Sequence, residues 1–270
     1  VFLTEVTIAC KAQGVPADTV IAEYGTGQFE VNLTHESDAL MAADHCLMLK
    51  RIVKAVAIKH GFRAVFMAKP YTDQPGNGLH VHASALNTDG ENVFSGEVGE
   101  ANAALGHAIG GLLRSMPELQ LLFAPHANSY RRFQPRSFAP VTPCWGHDNR
   151  NAAVRLPTTA GPGARFEHRV AGADANPYLT LAAILAGALQ GIKDELAPGD
   201  PVVTMEGIEA FPPLAREWTT AIDAFAKSDL AATSLGTLFR DVYATSAVAE
   251  QERIATEVTD MEIRSYLRRT

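Results

Sequence analysis

The sequence has few cysteines and no long hydrophobic run. Its 270 residues contain three cysteines, Cys10, Cys46 and Cys144. This small, odd number does not form a disulfide framework and favours a reducing compartment such as the cytoplasm. The longest apolar stretch, residues 178–192, has about 15 residues, fewer than the ~20 that a membrane-spanning helix needs. We therefore expect a cytoplasmic protein in which this stretch is a buried helix.

Positive charge is also scarce, since 23 Lys and Arg residues oppose 30 Asp and Glu residues and leave a net charge of -7. A protein that binds nucleic acid through general electrostatics needs a cationic stripe, so we expect no nucleic-acid partner. The hydrophobic fraction of 47% is that of a globular protein and excludes a disordered or fibrous chain. The length suits one large domain or two small ones.

Three common catalytic or cofactor motifs are absent. The sequence has no G-x-x-x-x-G-K-[ST] motif, so a nucleotide would not be held by a P-loop. It has no G-x-G-x-x-G between a strand and a helix, which argues against a Rossmann cofactor. It also lacks the G-x-S-x-G motif of nucleophilic hydrolases.

Hydrophobic periodicity predicts long helices and short strands. Helical patterns cover residues 1–13, 38–60, 101–115, 177–196 and several segments of the last 70 residues. Strand patterns cover residues 19–33 (as two strands around a glycine turn), 63–69, 79–86 and 165–170. Residues 124–163 read as a long loop, and their arginines and aromatic residues favour a functional loop over disorder. Because helices and strands do not alternate as βαβ units, we predict an α+β fold.

Glu23 and Glu30 bracket the glycine turn of the first strand pair. The turn can bring both carboxylates toward one point, and carboxylate oxygens are the ligands that Mg²⁺ and Mn²⁺ prefer. The spacing alone is more typical of two solvated acids on a surface hairpin. Both interpretations stay open at this point.

Two short motifs place polar side chains on one face of a strand. His80 and His82 are two residues apart and point to the same side, and Ser84 continues that side. Glu167 and Arg169 share a face in the same way. Such faces can bind a metal, a phosphate or a substrate, but they can equally contain hydrogen-bonded histidines and a cross-strand ion pair.

Arginine is concentrated in one part of this acidic sequence. Seven arginines fall within 39 positions: Arg131, Arg132, Arg136, Arg150, Arg155, Arg165 and Arg169. Guanidinium groups bind carboxylate and phosphate oxygens bidentately, so we interpret the cluster as an anion site. Arginines that bridge subunits are the alternative. Together the residues indicate a divalent-metal enzyme with an anionic substrate such as a phosphorylated one.

Seven segments in this order resemble the catalytic domain of the glutamine synthetase family. They are EYGTGQFE at 23–30, FMAKP at 66–70, GNGLHVHAS at 76–84, NSYRR at 128–132, NR at 149–150 continuing to Arg155, RFEHR at 165–169 and DANPY at 174–178. Each segment is a weak signal alone, but seven in order are hard to produce by chance. The resemblance implies a curved antiparallel sheet with flanking helices.

The glutamine synthetase family uses ATP to join an amine to the γ-carboxyl of glutamate, through γ-glutamyl phosphate and with Mg²⁺ or Mn²⁺. The resemblance implies that Glu23 and Glu30 bind the metal at the glutamate end, and that His80 and Glu167 bind the metal at the ATP phosphates. It further implies nucleotide contacts from His82, Ser84, Arg155 and Arg165, glutamate contacts from Gly76 and Arg132, and contacts to the transferring phosphoryl group from Arg150 and Arg169. Such chemistry depends on positioning and charge neutralisation.

One position departs from the ammonia-using members of that family. They carry a Glu six residues after the glutamate-binding Arg, where it helps to take a proton from ammonium, and this sequence has Phe138 there. A phenyl ring cannot accept a proton, although its face can meet an amine weakly. The change resembles the γ-glutamylpolyamine branch, so we favour an organic amine over ammonia. The alternatives are an ordinary glutamine synthetase, phosphorylation of a guanidine-bearing substrate, and a non-catalytic regulator or scaffold.

The resemblance also bears on assembly. The family has an N-terminal β-grasp domain and a Glu-x-Glu pair that completes both metal sites, and residues 1–22 contain no such pair. Its members form rings with active sites between subunits. We therefore expect residues 1–270 to be the C-terminal catalytic domain of a longer homo-oligomeric protein, inactive alone and without membrane partners.

Overall fold

The computed structural model describes residues 1–134, 137–204 and 212–269. In these ranges the α-helices are α1 (Phe2–Ala12), α2 (Ala39–Lys59), α3 (Ala103–Phe123), α4 (Pro177–Lys193), α5 (Trp218–Ala226), α6 (Asp229–Leu235), α7 (Thr237–Ala255) and α8 (Asp260–Tyr266). The strands are β1 (Ala17–Ala22), β2 (Phe29–Leu33), β3 (Val81–Ala83), β4 (Trp145–His147), β5 (Val154–Thr158) and β6 (Arg165–His168). A 3₁₀ helix, Ala127–Arg132, follows α3. The predicted α+β class is confirmed.

The strands form two separate sheets. β1 and β2 make an antiparallel hairpin around the predicted glycine turn. The other four strands lie in the order β3-β6-β5-β4, with β6 antiparallel to both of its neighbours. β4 and β5 pair in parallel, so this sheet is mixed, whereas the resemblance led us to expect an antiparallel one. β3 and β4 have only three residues each. Such short strands show too little hydrophobic alternation to predict which strand they pair with.

Capping residues explain where the predicted helices begin. The Asp38 carboxylate accepts from Leu40 N at 2.8 Å at the start of α2, and the Asn176 side chain accepts from Tyr178 N at 3.0 Å at the start of α4. Both are residue types that satisfy the free N–H groups of a first helical turn. The helices predicted at 38–60 and 177–196 are thereby confirmed. No helix in the described ranges is long and apolar enough to cross a membrane.

Helix α3 is longer than its pattern predicted. We expected it to end near residue 115, before Pro117, but it continues through that proline to Phe123. A proline inside a helix removes one backbone hydrogen bond at a cost of about 3 kcal/mol. The turns after it bury Leu119, Leu121 and Leu122 almost completely, and this burial offsets the lost hydrogen bond.

Two of the predicted strands are wrong or too long. Residues 63–69 form no strand, because Lys69 N and Lys69 O are bonded by the side chain of Asn128 instead of a neighbouring strand. The strand predicted at 79–86 shortens to β3, since Leu79 N and Ala85 O are bonded to loop segments on either side. The long loop predicted at 124–163 contains β4 and β5, which the hydrophobic pattern did not predict.

The core lies around α3 and determines which side of β6 carries the site. α3 crosses α4 in backbone contact, since a Cβ on Gly111 would lie 2.1 Å from the carbonyl oxygen of Gly187. Phe166 of β6 is buried in this core, and the His168 ring contacts Phe123 in a tilted arrangement, with 4.5 Å between the ring centroids. Because side chains alternate along a strand, Glu167 and Arg169 lie on the opposite face.

Candidate active site

A buried carboxylate, Glu167, is the centre of the candidate site. Its side chain is 3% exposed and accepts from Arg169 Nη1 at 2.6 Å on one oxygen and from Arg155 Nη1 at 2.7 Å on the other. Burial alone would raise the pKa of Glu167, but Arg169 and Arg155 hold it below its ordinary value. The carboxylate is therefore ionised, and both of its oxygens are held by guanidinium groups.

The two predicted histidines face the same carboxylate. His80 Nδ1 lies 3.3 Å and His82 Nε2 lies 3.8 Å from Glu167 Oε1, which confirms that both rings lie on one side of β3. Burial and the neighbouring Arg169 lower the pKa of His80 to about 3, so this imidazole is neutral. Arg165 donates to His82 Nδ1 at 3.1 Å and thereby joins the cluster.

Arg132 is a buried cation beside this cluster. Its guanidinium donates to the carbonyl oxygen of Val170 at 2.6 Å, and burial lowers its pKa to about 10. It forms no ion pair with a carboxylate in the described part of the chain. A Cβ on Gly76 would lie 2.9 Å from Arg132 Cγ, so the glycine is needed for the loop to cover the arginine. The two residues predicted to hold glutamate are in contact.

The hairpin brings the other two predicted carboxylates together. Burial and the neighbouring carboxyl group of Glu23 raise the pKa of Glu30 above its ordinary value. The charge of Glu167 also contributes to this shift, which places the hairpin pair on the side of the sheet that carries Glu167. The glycine turn therefore brings Glu23 and Glu30 close together, as their spacing in the sequence allowed.

Gln28 holds the hairpin against the rest of the site. Its amide nitrogen donates to Gly76 O at 3.1 Å and to Asn77 Oδ1 at 2.8 Å. Both partners lie in the loop that covers Arg132. Composition and spacing predict no role for Gln28 or Asn77, although both lie inside segments that resemble the family, at 23–30 and 76–84.

The donor sets suit hard divalent cations. Glu23 and Glu30 are two carboxylates in contact whose repulsion a cation would relieve, and His80 is a neutral imidazole beside the carboxylate of Glu167. Carboxylate oxygens fit Mg²⁺ or Mn²⁺, and a neutral imidazole is a common metal ligand. Neither pair is complete within the described ranges, where no group of three or more His, Cys, Asp or Glu side chains could hold a metal ion.

The other residues predicted for the site lie at the positions that follow. Phe138 is 60% exposed, and its ring lies 5.0 Å from that of Tyr24, next to Glu23. Arg150 is exposed on the loop between β4 and β5, and Ser84 is half-buried just after β3. Arg131 lines a separate cavity between the 3₁₀ helix, α5 and α7, so its inclusion in the anion cluster is wrong. Arg136 lies outside the described residues.

Comparison with family models and known proteins agrees with this geometry. The model of the glutamine synthetase catalytic domain matches residues 1–266. The γ-glutamylputrescine synthetase PuuA of Escherichia coli K12 is 41% identical over 98% of this chain and 56% of its own length. A glutamate–isopropylamine ligase of a Pseudomonas species is 35% identical over 97% of this chain and 58% of its own length.

Other relatives carry a different name. The glutamine synthetase of Thermococcus kodakarensis is 44% identical over 74% of this chain and 44% of its own length. Among solved structures, a chain described as a GmaS–ADP complex superposes with a TM-score of 0.90 at 32% identity, over 98% of this chain and 63% of the other. The chain spans about half the length of the curated relatives it matches. The chain belongs to the glutamine synthetase family, and the sheet that holds Glu167 is part of its catalytic domain.

Proposed function

We propose that the protein containing this chain is an ATP-dependent ligase that joins an organic amine to the γ-carboxyl of glutamate. The γ-carboxylate oxygen attacks the γ-phosphorus of ATP, ADP leaves, and γ-glutamyl phosphate forms. The amine nitrogen then attacks the γ-carbonyl carbon, phosphate leaves, and the nitrogen loses a proton. This reaction needs bound charges rather than a protein nucleophile, and a site composed of Glu, His and Arg supplies them.

Each group of residues has a proposed role. Arg132 under Gly76 binds the glutamate carboxylate, Arg150 and Arg169 contact the transferring phosphoryl group, and the nucleotide is held by His82, Ser84, Arg155 and Arg165. Glu23 with Glu30, and His80 with Glu167, would hold Mg²⁺ or Mn²⁺, which neutralise phosphate charge when bound. The remaining metal ligands come from water, substrate or residues outside this chain.

The preference for an organic amine rests on Phe138. Its ring and that of Tyr24 form an exposed aromatic pair, 79% exposed at Tyr24, beside the Glu23–Glu30 pair. Two phenyl-type faces attract an alkylammonium group and its methylene chain, whereas they cannot accept a proton as a carboxylate can. The names of the Escherichia coli and Pseudomonas relatives agree with this choice.

An ordinary glutamine synthetase is the second candidate. The observation that favours it is the identity of 44% to the Thermococcus kodakarensis glutamine synthetase, although over a smaller share of the chain. The two candidates assign the same roles to the metal, nucleotide and glutamate residues, and they differ in which nitrogen attacks γ-glutamyl phosphate, ammonia or an organic amine.

We also propose the setting in which this chemistry takes place. Residues 1–270 act as the catalytic domain of a larger, cytoplasmic ring-shaped homo-oligomer whose subunits share active sites. The larger size is supported by the relatives, since the chain spans about half the length of the curated relatives it matches. Its partners are glutamate, ATP and the amine.

The test is phosphate release by the full polypeptide with ATP, Mg²⁺ and glutamate. Ammonium is compared with putrescine, spermidine, ethanolamine and isopropylamine, and products are identified by mass spectrometry. Turnover with one organic amine and little with ammonium supports the proposal. Efficient turnover with ammonium makes the protein a glutamine synthetase, and no turnover with any amine contradicts both candidates.

A matched pair of variants sharpens this test. Phe138→Glu restores a carboxylate and should shift the kcat/KM ratio toward ammonium by about tenfold or more, since a positioned general base typically contributes 10²–10⁴-fold. Phe62→Glu alters another half-exposed ring, one that contacts Phe2, and should leave the ratio unchanged. If Phe138→Glu leaves the kcat/KM ratio between ammonium and organic amines unchanged, Phe138 does not determine amine selectivity.

A further inference from the structure

Asp148 forms an ion pair with Arg155, and the backbone of Asp148 has an unusual conformation. Its carboxylate accepts from Arg155 Nε at 2.9 Å and from Arg155 Nη2 at 2.7 Å, so it grips the guanidinium from the side. Asp148 has a φ of 45°, in the left-handed region, and is one of two non-glycine residues with positive φ in the described ranges. Such a backbone is strained for a non-glycine residue and persists when surrounding contacts hold it.

The ion pair with Asp148 uses Nε and Nη2 of Arg155, so Nη1 remains available to the active site. Arg155 Nη1 points to Glu167 Oε2 at 2.7 Å, while Nε and Nη2 are held by Asp148. The two carboxylates differ in burial, with Asp148 74% exposed and Glu167 3% exposed. Arg155 thus joins a solvated anion to a buried one.

Each carboxylate oxygen of Glu167 accepts a hydrogen bond from a guanidinium group, and this affects how Glu167 can bind a cation. A cation that binds Glu167 competes with Arg155 and Arg169 for these oxygens. An arginine that loses its only carboxylate partner near a buried site carries an uncompensated charge, which is costly. Arg155 avoids this cost, because Asp148 can keep two of its three engaged nitrogens.

We propose that Asp148 is a positioning residue that keeps Arg155 anchored while Glu167 exchanges it for a divalent cation. Nη1 of Arg155 is then free to donate to a phosphate oxygen at the same place. This inference rests on the proposed function only for the identity of the cation and the phosphate. Without the charge of Asp148, Arg155 competes more strongly for Glu167, and the site loses a nearby negative charge.

Three variants of the full polypeptide test the inference. Asp148→Asn keeps the size but removes the charge, and Asp148→Gly removes the carboxylate while relieving the left-handed backbone. Asp241→Asn is the control, because Asp241 grips Arg240 from the side in the same geometry, at 2.9 Å to Nε and 2.8 Å to Nη2. Mn²⁺ affinity is measured by calorimetry and by electron paramagnetic resonance without nucleotide.

We expect both Asp148 variants to weaken Mn²⁺ binding by about tenfold, the lower end of the effect of groups that hold metal ligands in place. The KM for ATP should rise as well, with the KM for glutamate and the Asp241→Asn control unchanged. Wild-type affinity in Asp148→Gly would overturn the inference, because a turn residue needed only for its backbone is replaced well by glycine.

The failure of this inference is distinguishable from failure of the proposed function. The function fails if the wild-type protein makes no γ-glutamyl amide, whereas the inference fails if the Asp148 variants bind Mn²⁺ as the wild type does. A crystal structure with Mn²⁺ and ADP gives an independent readout. Arg155 bound to Asp148 and detached from Glu167 supports the inference, and Arg155 detached from Asp148 contradicts it. A wild-type protein that binds no Mn²⁺ overturns the inference together with the metal roles of Glu167 and His80.

Discussion

The buried carboxylate Glu167 and the hairpin pair Glu23–Glu30 differ in how their negative charge is balanced. Glu167 is buried, yet its pKa is below the ordinary value because Arg169 and Arg155 offset the effect of burial. Glu30 is less buried, yet its pKa is raised by burial and by contact with Glu23. The charge of Glu167 is already balanced by guanidinium groups in the structure, whereas the hairpin pair carries a charge repulsion that a cation or a proton removes. A cation therefore competes with arginines at Glu167 and relieves repulsion at Glu23 and Glu30.

The largest effect should follow from removing the charge of Glu167. Glu167→Gln leaves Arg155 and Arg169 without their shared counter-charge in a buried place, and breaking such a pair costs about 3–5 kcal/mol. Urea unfolding in EDTA measures the loss. Asp241→Asn, which breaks an exposed pair with Arg240, should cost less than about 1 kcal/mol. Equal losses in the two variants would contradict the view that Glu167 is structurally neutralised.

The second effect concerns stabilisation by metal. At a Mn²⁺ concentration about 100-fold above its dissociation constant, the wild-type protein should gain about 2.7 kcal/mol of stability. Glu30→Gln removes one ligand of the hairpin pair, so the rise in Tm when Mn²⁺ is added should be smaller than in the wild type, because the His80–Glu167 pair can still bind. Glu36→Gln, which changes a half-buried acid on the loop after the hairpin, is the control and should keep the rise. A full rise in Glu30→Gln would exclude the hairpin pair from metal binding.

Much of this comparison was accessible from the sequence, because the relevant contacts are local. The turn at 25–27 determines how close Glu23 and Glu30 lie, and strand alternation places Glu167 and Arg169 on one face. The helices capped by Asp38 and Asn176 were predictable for the same reason.

The contacts that were missed depend on distant parts of the chain or on unusual backbone. The side chain of Asn128 replaces a strand partner for Lys69, fifty-nine residues away, and no periodicity in residues 63–69 can reveal it. α3 passes Pro117 because its later turns are buried by other elements. The hold of Asp148 on Arg155 requires a positive φ at a non-glycine residue, which neither propensity nor spacing predicts.

The third effect has the opposite sign from the first. Without metal, Glu30→Gln removes the repulsion between two carboxylates, so the protein should become more stable at neutral pH by about 0.5 kcal/mol. Urea unfolding in EDTA, under the conditions used for Glu167→Gln, measures the change. A loss of stability would show that the Glu23–Glu30 contact is favourable in the metal-free protein and would remove the contrast with Glu167.

The smallest effect is the non-additivity of the hairpin pair. Glu23→Gln should stabilise the metal-free protein as Glu30→Gln does, because either change removes the same repulsion. The double variant should then gain about 0.5 kcal/mol rather than twice that, since residues in contact couple in this way. Glu30→Gln combined with Asp241→Asn is the control and should be additive, because Asp241 lies on α7 and shares no partner with the hairpin. Additive gains in Glu23→Gln and Glu30→Gln would mean that each carboxylate is destabilised by burial alone, and the hairpin would then be two separate acids rather than one cation site.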